Sequence, residues 1–526
     1  MTGISSFRCK KQLAVIIVLV CSCLLPACKE TGKGLAESER SAFKTYVDSL
    51  DEARLQQQYN RLLANDTSRW KLDQAIRQHY ANDSELKEKP FWFTRMGVSV
   101  DADSMLSYLR HALPLNGLDT AAFFVQQIAE DLAVVRQLSF DSVGRNINEV
   151  LPHLDYYLSK AYVRYTLGQR YGFIRPDKLL NKLDHKAHSD NPNEFARLFD
   201  YELKAPDYEE SVRQLKGSNR IGYLNASAPD SPLYKVLQAQ LSKTKVPEER
   251  RKVSINMERC RWNMAQPNAT ERHIVVNIAA QQLWAVCPDS VLPMRICCGA
   301  IATKTPLLYS AISYMQVNPD WIIPQNIVKA EVAHHAGDSV YFARNNYYIV
   351  DRSTNDTLKA SEVSRSSLER GGLRVGQYGG AGNSLGRIVF RFPNNFSVYL
   401  HDTNNRGAFK RERRTLSHGC VRVEKPFELA QFLLCDADDW KLDQLRLSMD
   451  MKPETERGKK YLEEHEEDPR PLRLITYHGI KPAVPLFIVY YTVYPNPESG
   501  LTDYWPDLYG YDKAIEREIG YFLLKK

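Results

Sequence analysis

Near Val253 the apolar residues of this chain change their period. Upstream they recur at helical spacing, with Leu50, Leu55, Tyr59, Leu62 and Leu63 in one stretch and Leu106, Leu109 and Leu113 in another. Downstream, short β-branched runs take over: His273-Ile-Val-Val-Asn-Ile278, Gln282-Leu-Trp-Ala-Val286 and Met294-Arg-Ile-Cys-Cys298, bounded by Pro, Asp and Gly. A repeat of about 3.6 residues places one face of a helix, and a repeat of two places one face of a strand. The expected fold is therefore α+β, an α-helical N-terminal scaffold followed by a β-rich domain. A length of 526 residues suits two or three domains.

The helical half carries no visible chemistry. Helix is expected from Phe43 to about Gln78, then a short β-like segment at Pro90-Phe-Trp-Phe-Thr94. Ser104 is expected to cap a helix that stops at Pro114. Two more helices are expected over Thr120–Leu138 and Glu149–Tyr171, the second rich in tyrosine (Tyr156, Tyr157, Tyr162, Tyr165, Tyr171). Such a stripe reads as core lining rather than a ligand platform. Asp200–Pro247 adds polar loops and two short helices.

In the β-rich half, the segment from about 319 to 373 holds Trp321, Pro324 and a helix expected over Ile327–His334, and it reads as an inserted lid. Glu331-x-x-His334-His335 lacks the order of a zinc-binding helix, so a solvated helix face is expected and no metal. The Gly-rich stretch at 371–386 has neither dinucleotide nor phosphate-loop spacing, and a strand follows it where a helix should begin. It reads as a turn. Asn395–Leu400 alternates, which places His401 opposite the Phe396, Val398, Leu400 face. Met451–Pro469 reads as a charged, solvated excursion.

The reactive chemistry lies in Leu416-Ser417-His418-Gly419-Cys420-Val421-Arg422-Val423, with His401 19 residues before Cys420. A thiolate is a strong nucleophile, but a free Cys is only slightly ionised at neutral pH. A nearby imidazole can take its proton, and backbone N–H groups of a tight Gly-Cys turn can hold an oxyanion. These residues point to a cysteine acyl-transfer site. Pro426 opens a helix with Leu429, Phe432 and Leu433 on one stripe, so the thiol is expected where a strand begins, shortly before that helix. Cys and His supply nucleophile and proton transfer, so no cofactor is needed.

At the N-terminus, Arg8, Lys10 and Lys11 precede the apolar stretch Leu13–Ala27, which is too short for a mature membrane span. Residues 1–27 read as a signal peptide, Cys28 in Leu25-Pro-Ala-Cys28 as a lipidated N-terminus, and 28–40 as a tether. The scaffold then occupies 41–250 and the β-rich domain 251–526. After cleavage, Cys260, Cys287, Cys297, Cys298, Cys420 and Cys435 remain, with no C-x-x-C pair and no regular spacing. Vicinal Cys297 and Cys298 are expected to pack in a core rather than pair. The formal charge of +7 suits an anionic polymer without identifying one, and nothing marks a nucleic-acid partner.

Together these pieces resemble the L,D-transpeptidases with a YkuD-type catalytic domain, in particular the larger YcbB type with a helical scaffold. The resemblance rests on His401-Asp402 and Ser417-His418-Gly419-Cys420-Val421-Arg422-Val423. Asn383-Ser-Leu-Gly386, Arg391-Phe-Pro-Asn394, Asn256-Met-Glu-Arg259, Arg261-Trp262 and Leu113-Pro-Leu-Asn-Gly-Leu-Asp119 support it. It implies Cys420 as nucleophile and His401 as the base that forms or stabilises the thiolate, oriented by a backbone carbonyl at or near Asp402. It implies that His418, Ser417 and Arg422 line the pocket and that the N–H groups of Gly419 and Cys420 bind the oxyanion. Asp402, Tyr378 and Trp321 are candidate substrate contacts.

The implied reaction joins peptidoglycan stem peptides. Cys420 attacks a tetrapeptide donor, D-Ala leaves, and an amine acceptor takes the acyl group in a 3→3 cross-link. Carbapenem-type inhibitors are expected to acylate Cys420, and a lipid anchor would hold the protein at a membrane of the cell envelope. An L,D-carboxypeptidase or peptidoglycan hydrolase on the same site, or a non-enzymatic wall-tethering lipoprotein, are the alternatives. Many relatives insert a small peptidoglycan-binding domain, for which Lys245 to Val253 leaves no room.

Overall fold

The computed structural model describes residues 43–526 apart from 44, 45, 47, 82–89, 141–142, 187–190, 381, 468–470 and 526. The leader, the tether and Cys28 lie outside the described residues. Among the described residues, no helix is long and apolar enough to cross a membrane.

Helix α1 (Glu52–Asn65) starts at Asp51, whose carboxylate accepts from the N–H groups of Ala53 and Arg54, and it buries Leu55, Tyr59 and Leu62. The expected single helix to Gln78 is interrupted at Asp66. There the carboxylate accepts from Ser68 N–H at 2.9 Å, a local bond that competes with the helix ladder. The chain is helical again over Gln74–Ala81. Helix α2 (Val100–Leu115) is capped by Ser99, not by Ser104 as the spacing predicts. Ser104 lies inside the helix with its hydroxyl donating to the Val100 carbonyl at 3.4 Å. The helix also runs one residue past Pro114.

Helices α3 (Val125–Gln137) and α4 (Ile147–Tyr171) follow, and α4 is buried on nearly every side. Its Tyr156, Tyr162, Tyr165 and Tyr171 line the core, as the tyrosine stripe implies. Three helices, not two, follow at Tyr208–Lys216, Arg220–Asn225 and Pro232–Lys243, the first two separated at Gly217.

The change of period at Val253 falls inside helix α5 (Pro247–Arg261). Every residue of α5 from Val253 to Arg261 is buried, so no apolar stripe marks it. Its polar side chains join the two halves of the protein. Asn256 exchanges bonds with Thr492, donating to its hydroxyl at 2.8 Å and accepting from its N–H at 2.9 Å. Arg259 pairs with Asp512 at 2.6 Å. Glu258 accepts from the N–H groups of Phe173 and Ile174 at 2.7 and 3.2 Å.

The β-rich half is a sheet closed on itself. Its main strands are β1 (His273–Asn277), β2 (Gln282–Cys287), β3 (Ser290–Gly299), β4 (Leu307–Val317), β5 (Ile388–Arg391), β6 (Leu400–His401), β7 (Val421–Val423) and β8 (Tyr477–Val489). Around the ring the order is β5-β6-β7-β3-β2-β1-β8-β4, and β4 pairs back onto β5. The β6–β7 and β8–β1 pairs are parallel. β1 is buried along its whole length, which explains its unbroken apolar run. Helix α6 (Pro426–Leu433) follows β7 and buries Leu429, Phe432 and Leu433, as the sequence implies. Cys298 packs in the main core, and Cys297 packs with Ala408 and Phe409.

Helix α7 (Tyr511–Ile519) leads the C-terminus back onto the scaffold, where Asp119 N–H donates to the Phe522 carbonyl at 2.9 Å.

Between β4 and β5 the segment from Trp321 to Gln377 builds a core of its own around Ile323, Val328, Val332, Phe342, Ile349, Leu368 and Val375. A four-stranded sheet covers it, ordered Thr357–Leu358, Tyr347–Asp351, Leu373–Gln377, Trp321–Ile322. The helix expected over Ile327–His334 is irregular. A turn at Gln325–Ile327 widens into a π turn at Val328–Val332 and tightens over Ala333–His335. A π turn of this kind often marks a functional site, and this one carries Glu331.

Candidate active site

The site is built on the parallel pair β6–β7. Its register places Leu400 beside Val421 and His401 beside Arg422, and Val421 N–H donates to the Tyr399 carbonyl at 3.1 Å. Residues two apart on a strand share a face, as do cross-strand partners. Tyr399, His401, Cys420 and Arg422 therefore project to one side, with Cys420 in the row of Tyr399 and Arg422 in the row of His401. β5 adds Arg391, whose guanidinium lies 4.3 Å from the centre of the Tyr399 ring. The Tyr399 and His401 rings meet edge to face, 5.6 Å apart.

The approach to His401 is not the alternating strand that the sequence predicts, since only Leu400 and His401 are in strand pairing. Upstream, the Asn394 side chain holds a loop. Its carbonyl accepts from Phe396 and Val398 N–H at 3.0 and 3.2 Å, and its amide donates to the Val398 carbonyl at 2.8 Å. Ser397 sits in that loop with φ +55°, and the Cys420 thiol donates to its carbonyl at 3.9 Å.

The turn before Cys420 is braced from inside. The buried Ser417 hydroxyl donates to the Cys420 carbonyl and accepts from Gly419 N–H at 3.2 Å. Thr305 donates to the Gly419 carbonyl at 2.8 Å while accepting from Gly299 N–H at 2.9 Å. Gly419 has φ +116°, a backbone state that glycine adopts freely. Two expectations change as a result. Ser417 braces the turn instead of lining the pocket, and the Gly419 N–H is committed to Ser417 instead of to an oxyanion. Among the described residues no such partner takes the Cys420 N–H, which remains the donor available to an oxyanion.

His401 is buried, and its Nδ1 has no hydrogen-bond partner among the described residues. Burial and then the Arg422 charge push the imidazole down to about 3, although backbone groups of Asp402 and Leu385 oppose this. Burial pushes the Cys420 thiol up to about 11, against the opposing pull of the Tyr399 backbone and hydroxyl, Arg391 and Arg422. At rest the pair is therefore a neutral thiol and a neutral imidazole. Alkylation of Cys420 by iodoacetamide should accordingly be slow at pH 7 and rise about tenfold per pH unit toward pH 10. A rate already flat from pH 6 upward would show a preformed thiolate.

Asp402 does not face the reacting groups. Its buried carboxylate accepts from Arg387 N–H at 2.9 Å and from Arg406 at 3.1 Å, fixing the turn that leads into β5. It is a positioning residue, not a substrate contact. Gly386 makes this packing possible, because a Cβ there would lie 2.4 Å from the Asp402 carboxylate at φ +65°. Gly386→Ala should cost about 2 kcal/mol of stability or more, measured by urea denaturation. An unchanged midpoint would show that the Asp402 turn is compliant.

The inserted segment reaches the site at two points. Trp321 and the Cys420 thiol both act on the buried Tyr399 hydroxyl, the indole favouring its ionisation and the thiol opposing it. Glu331 pairs with His418 at 3.0 Å, both side chains remaining about half exposed (55% and 44%). The solvated face expected for Glu331 thus also touches the cysteine motif. Tyr378 is exposed and its ring lies tilted against that of Tyr348, 4.5 Å away, so it packs on the insertion. Arg422 has no carboxylate partner among the described residues, and its buried Nε makes no hydrogen bond. The roles of Tyr399, Arg391 and Glu331 were not read from the sequence. For Tyr399 a signal exists, since two residues before the base on a strand means the same face.

Two family models and one curated protein match parts of this chain. Residues 271–474 match the family described as the L,D-transpeptidase catalytic domain, YkuD. Residues 74–241 match the scaffold domain. A Haemophilus influenzae protein whose name assigns it to the L,D-transpeptidases is 29% identical over 378 residues, covering 70% of this chain and 71% of that protein.

Proposed function

We propose that this chain, whose residues 74–241 match a scaffold domain and 271–474 an L,D-transpeptidase catalytic domain of the YkuD type, forms 3→3 cross-links between peptidoglycan stem peptides. The observation that carries this reading is the shared face of Cys420, His401, Tyr399 and Arg422 beside a lid. The Cys420 sulfur attacks the carbonyl carbon between the third residue of a tetrapeptide stem and its terminal D-Ala. His401 takes the thiol proton as the S–C bond forms and passes it to the leaving amine when the C–N bond breaks. The Cys420 N–H faces the developing oxyanion. Arg391 and Arg422 supply positive charge for the substrate carboxylate. D-Ala leaves, an acceptor amine attacks the thioester, and the proton returns to sulfur.

The same electrophile-accepting thiol makes carbapenem-type inhibitors the expected acylating agents of Cys420. We place the protein in the cell envelope, attached through Cys28, on the strength of the leader-like residues 1–28.

The test is product analysis after incubation with a disaccharide tetrapeptide, alone and with an amine-bearing acceptor stem. A 3→3 dimer together with one D-Ala per link supports the transpeptidase. Tripeptide as the sole product, whatever the acceptor concentration, would assign an L,D-carboxypeptidase.

A further inference from the structure

The scaffold half contains a cleft of about 670 Å³, formed where the end of α1, the loop 66–70, the face of α4 and the returning C-terminus meet. Its walls are aromatic: Trp70, Phe124, Tyr157 and Tyr521. Tyr521 is 51% exposed and stacks with Trp70, their ring centres 6.4 Å apart.

The floor is polar and charged. Lys160 and the Tyr156 hydroxyl both donate to Asp66, at 2.6 and 2.5 Å. Arg164 grips Asp73 through two bonds of 2.7 Å and donates to the Ala122 carbonyl at 2.6 Å. Lys160 and Arg164 are almost fully buried. Ion pairs buried this deeply are often no more stable than apolar packing of the same volume, so the fold alone does not call for them. Phe124, a bulky residue, sits at φ +57° and lays its ring under both cations, 4.6 Å from Arg164 and 5.4 Å from Lys160. Strained backbone of this kind concentrates at ligand sites.

At the rim, Arg61 and Arg69 are exposed and have no carboxylate partner among the described residues. Of the basic side chains lining the cleft, Lys160 and Arg164 are paired with Asp66 and Asp73, which leaves the charges of Arg61 and Arg69 at its rim. Flat aromatic faces suit the C–H faces of sugar rings, amide and hydroxyl groups suit their hydroxyls, and the guanidinium groups of Arg61 and of Arg69, the latter 5.2 Å from the centre of the Trp70 ring, suit carboxylates. We propose that this cleft binds a carboxylate-bearing oligosaccharide, the glycan strand of the wall polymer with its stems attached. The identity of that ligand rests on the function proposed above, whereas the site does not. Holding the strand on the scaffold would keep stem peptides near the catalytic half at high local concentration.

The test uses the full chain and three ligands: an oligomer of disaccharide tetrapeptides, a free tetrapeptide, and a neutral N-acetylglucosamine oligomer. Binding is read by calorimetry with Arg61→Ala/Arg69→Ala and with Tyr521→Ala, both at exposed positions. The stem-bearing oligomer should bind more tightly than either of the others. Each variant should weaken it about tenfold or more, while acylation of Cys420 by free tetrapeptide and the melting temperature stay unchanged. Equal affinity in the variants would overturn the site, and equal affinity for the free tetrapeptide would overturn the saccharide assignment. Absence of Cys420 acylation with glycan binding intact would instead remove the proposed reaction and leave the cleft standing.

Discussion

Cys420→Ala should reduce formation of acyl-enzyme and cross-linked product by about 10⁴-fold or more, with the melting temperature nearly unchanged. Removal of a catalytic nucleophile has effects of that order, because the remaining donors have no atom to which the acyl group can be transferred. The surroundings also predict a folded variant. The turn is held by Ser417, Thr305 and backbone groups, and the thiol's own hydrogen bond, to Ser397, is long at 3.9 Å. Product analysis by chromatography, alongside thermal denaturation, checks both halves. Retained cross-linking in this variant would refute the site.

His401→Ala should lower the rate of Cys420 acylation by about 10²- to 10⁴-fold, the usual range for a lost general base. The resting charge state makes this prediction sharper. Burial and Arg422 hold the imidazole neutral, with its pKa pushed down to about 3, while the thiol is pushed up to about 11. A neutral imidazole does not maintain a thiolate, so His401→Ala should leave iodoacetamide alkylation of Cys420 within about threefold of the parent across pH 6–9. A parallel collapse of alkylation and acylation would mean that the imidazole is charged at rest and that the pair exists as thiolate and imidazolium. The sign of the pH dependence follows from the same two groups. Between the imidazole and the thiol pKa values the neutral pair persists, so acylation should be flat from about pH 5 to 9 and fall only in stronger acid.

Where the chain keeps a regular period, its structure is legible in the sequence. The tyrosine-rich helix α4, the Pro426 helix and the β-branched runs of β1 to β3 occupy the expected stretches because tertiary packing reinforces a local pattern already present. Helix α5 is different. Its buried side chains include Asn256, Glu258, Arg259 and Arg261, whose partners lie as far along the chain as Asp512. No window of a dozen residues contains that information. The cap of α2 illustrates the same limit at smaller scale, since Ser99 and Ser104 are equivalent as residue types and only the start of the helix decides between them.

At the site, the motif identified the reacting thiol and base, but not how the turn distributes its donors. Ser417 takes the Gly419 N–H because Thr305, more than a hundred residues away in sequence, closes the other side of the turn. Asp402 likewise faces inward because Gly386 leaves it space. Such choices depend on neighbours brought together only by the closed sheet.

The measurement that tests the account most directly is the intact mass of the protein after exposure to disaccharide tetrapeptide without an acceptor. The account predicts a single adduct on Cys420 equal to the donor minus D-Ala, lost on addition of an acceptor stem and missing in Cys420→Ala. An unmodified mass under conditions where the folded protein binds the donor would contradict it.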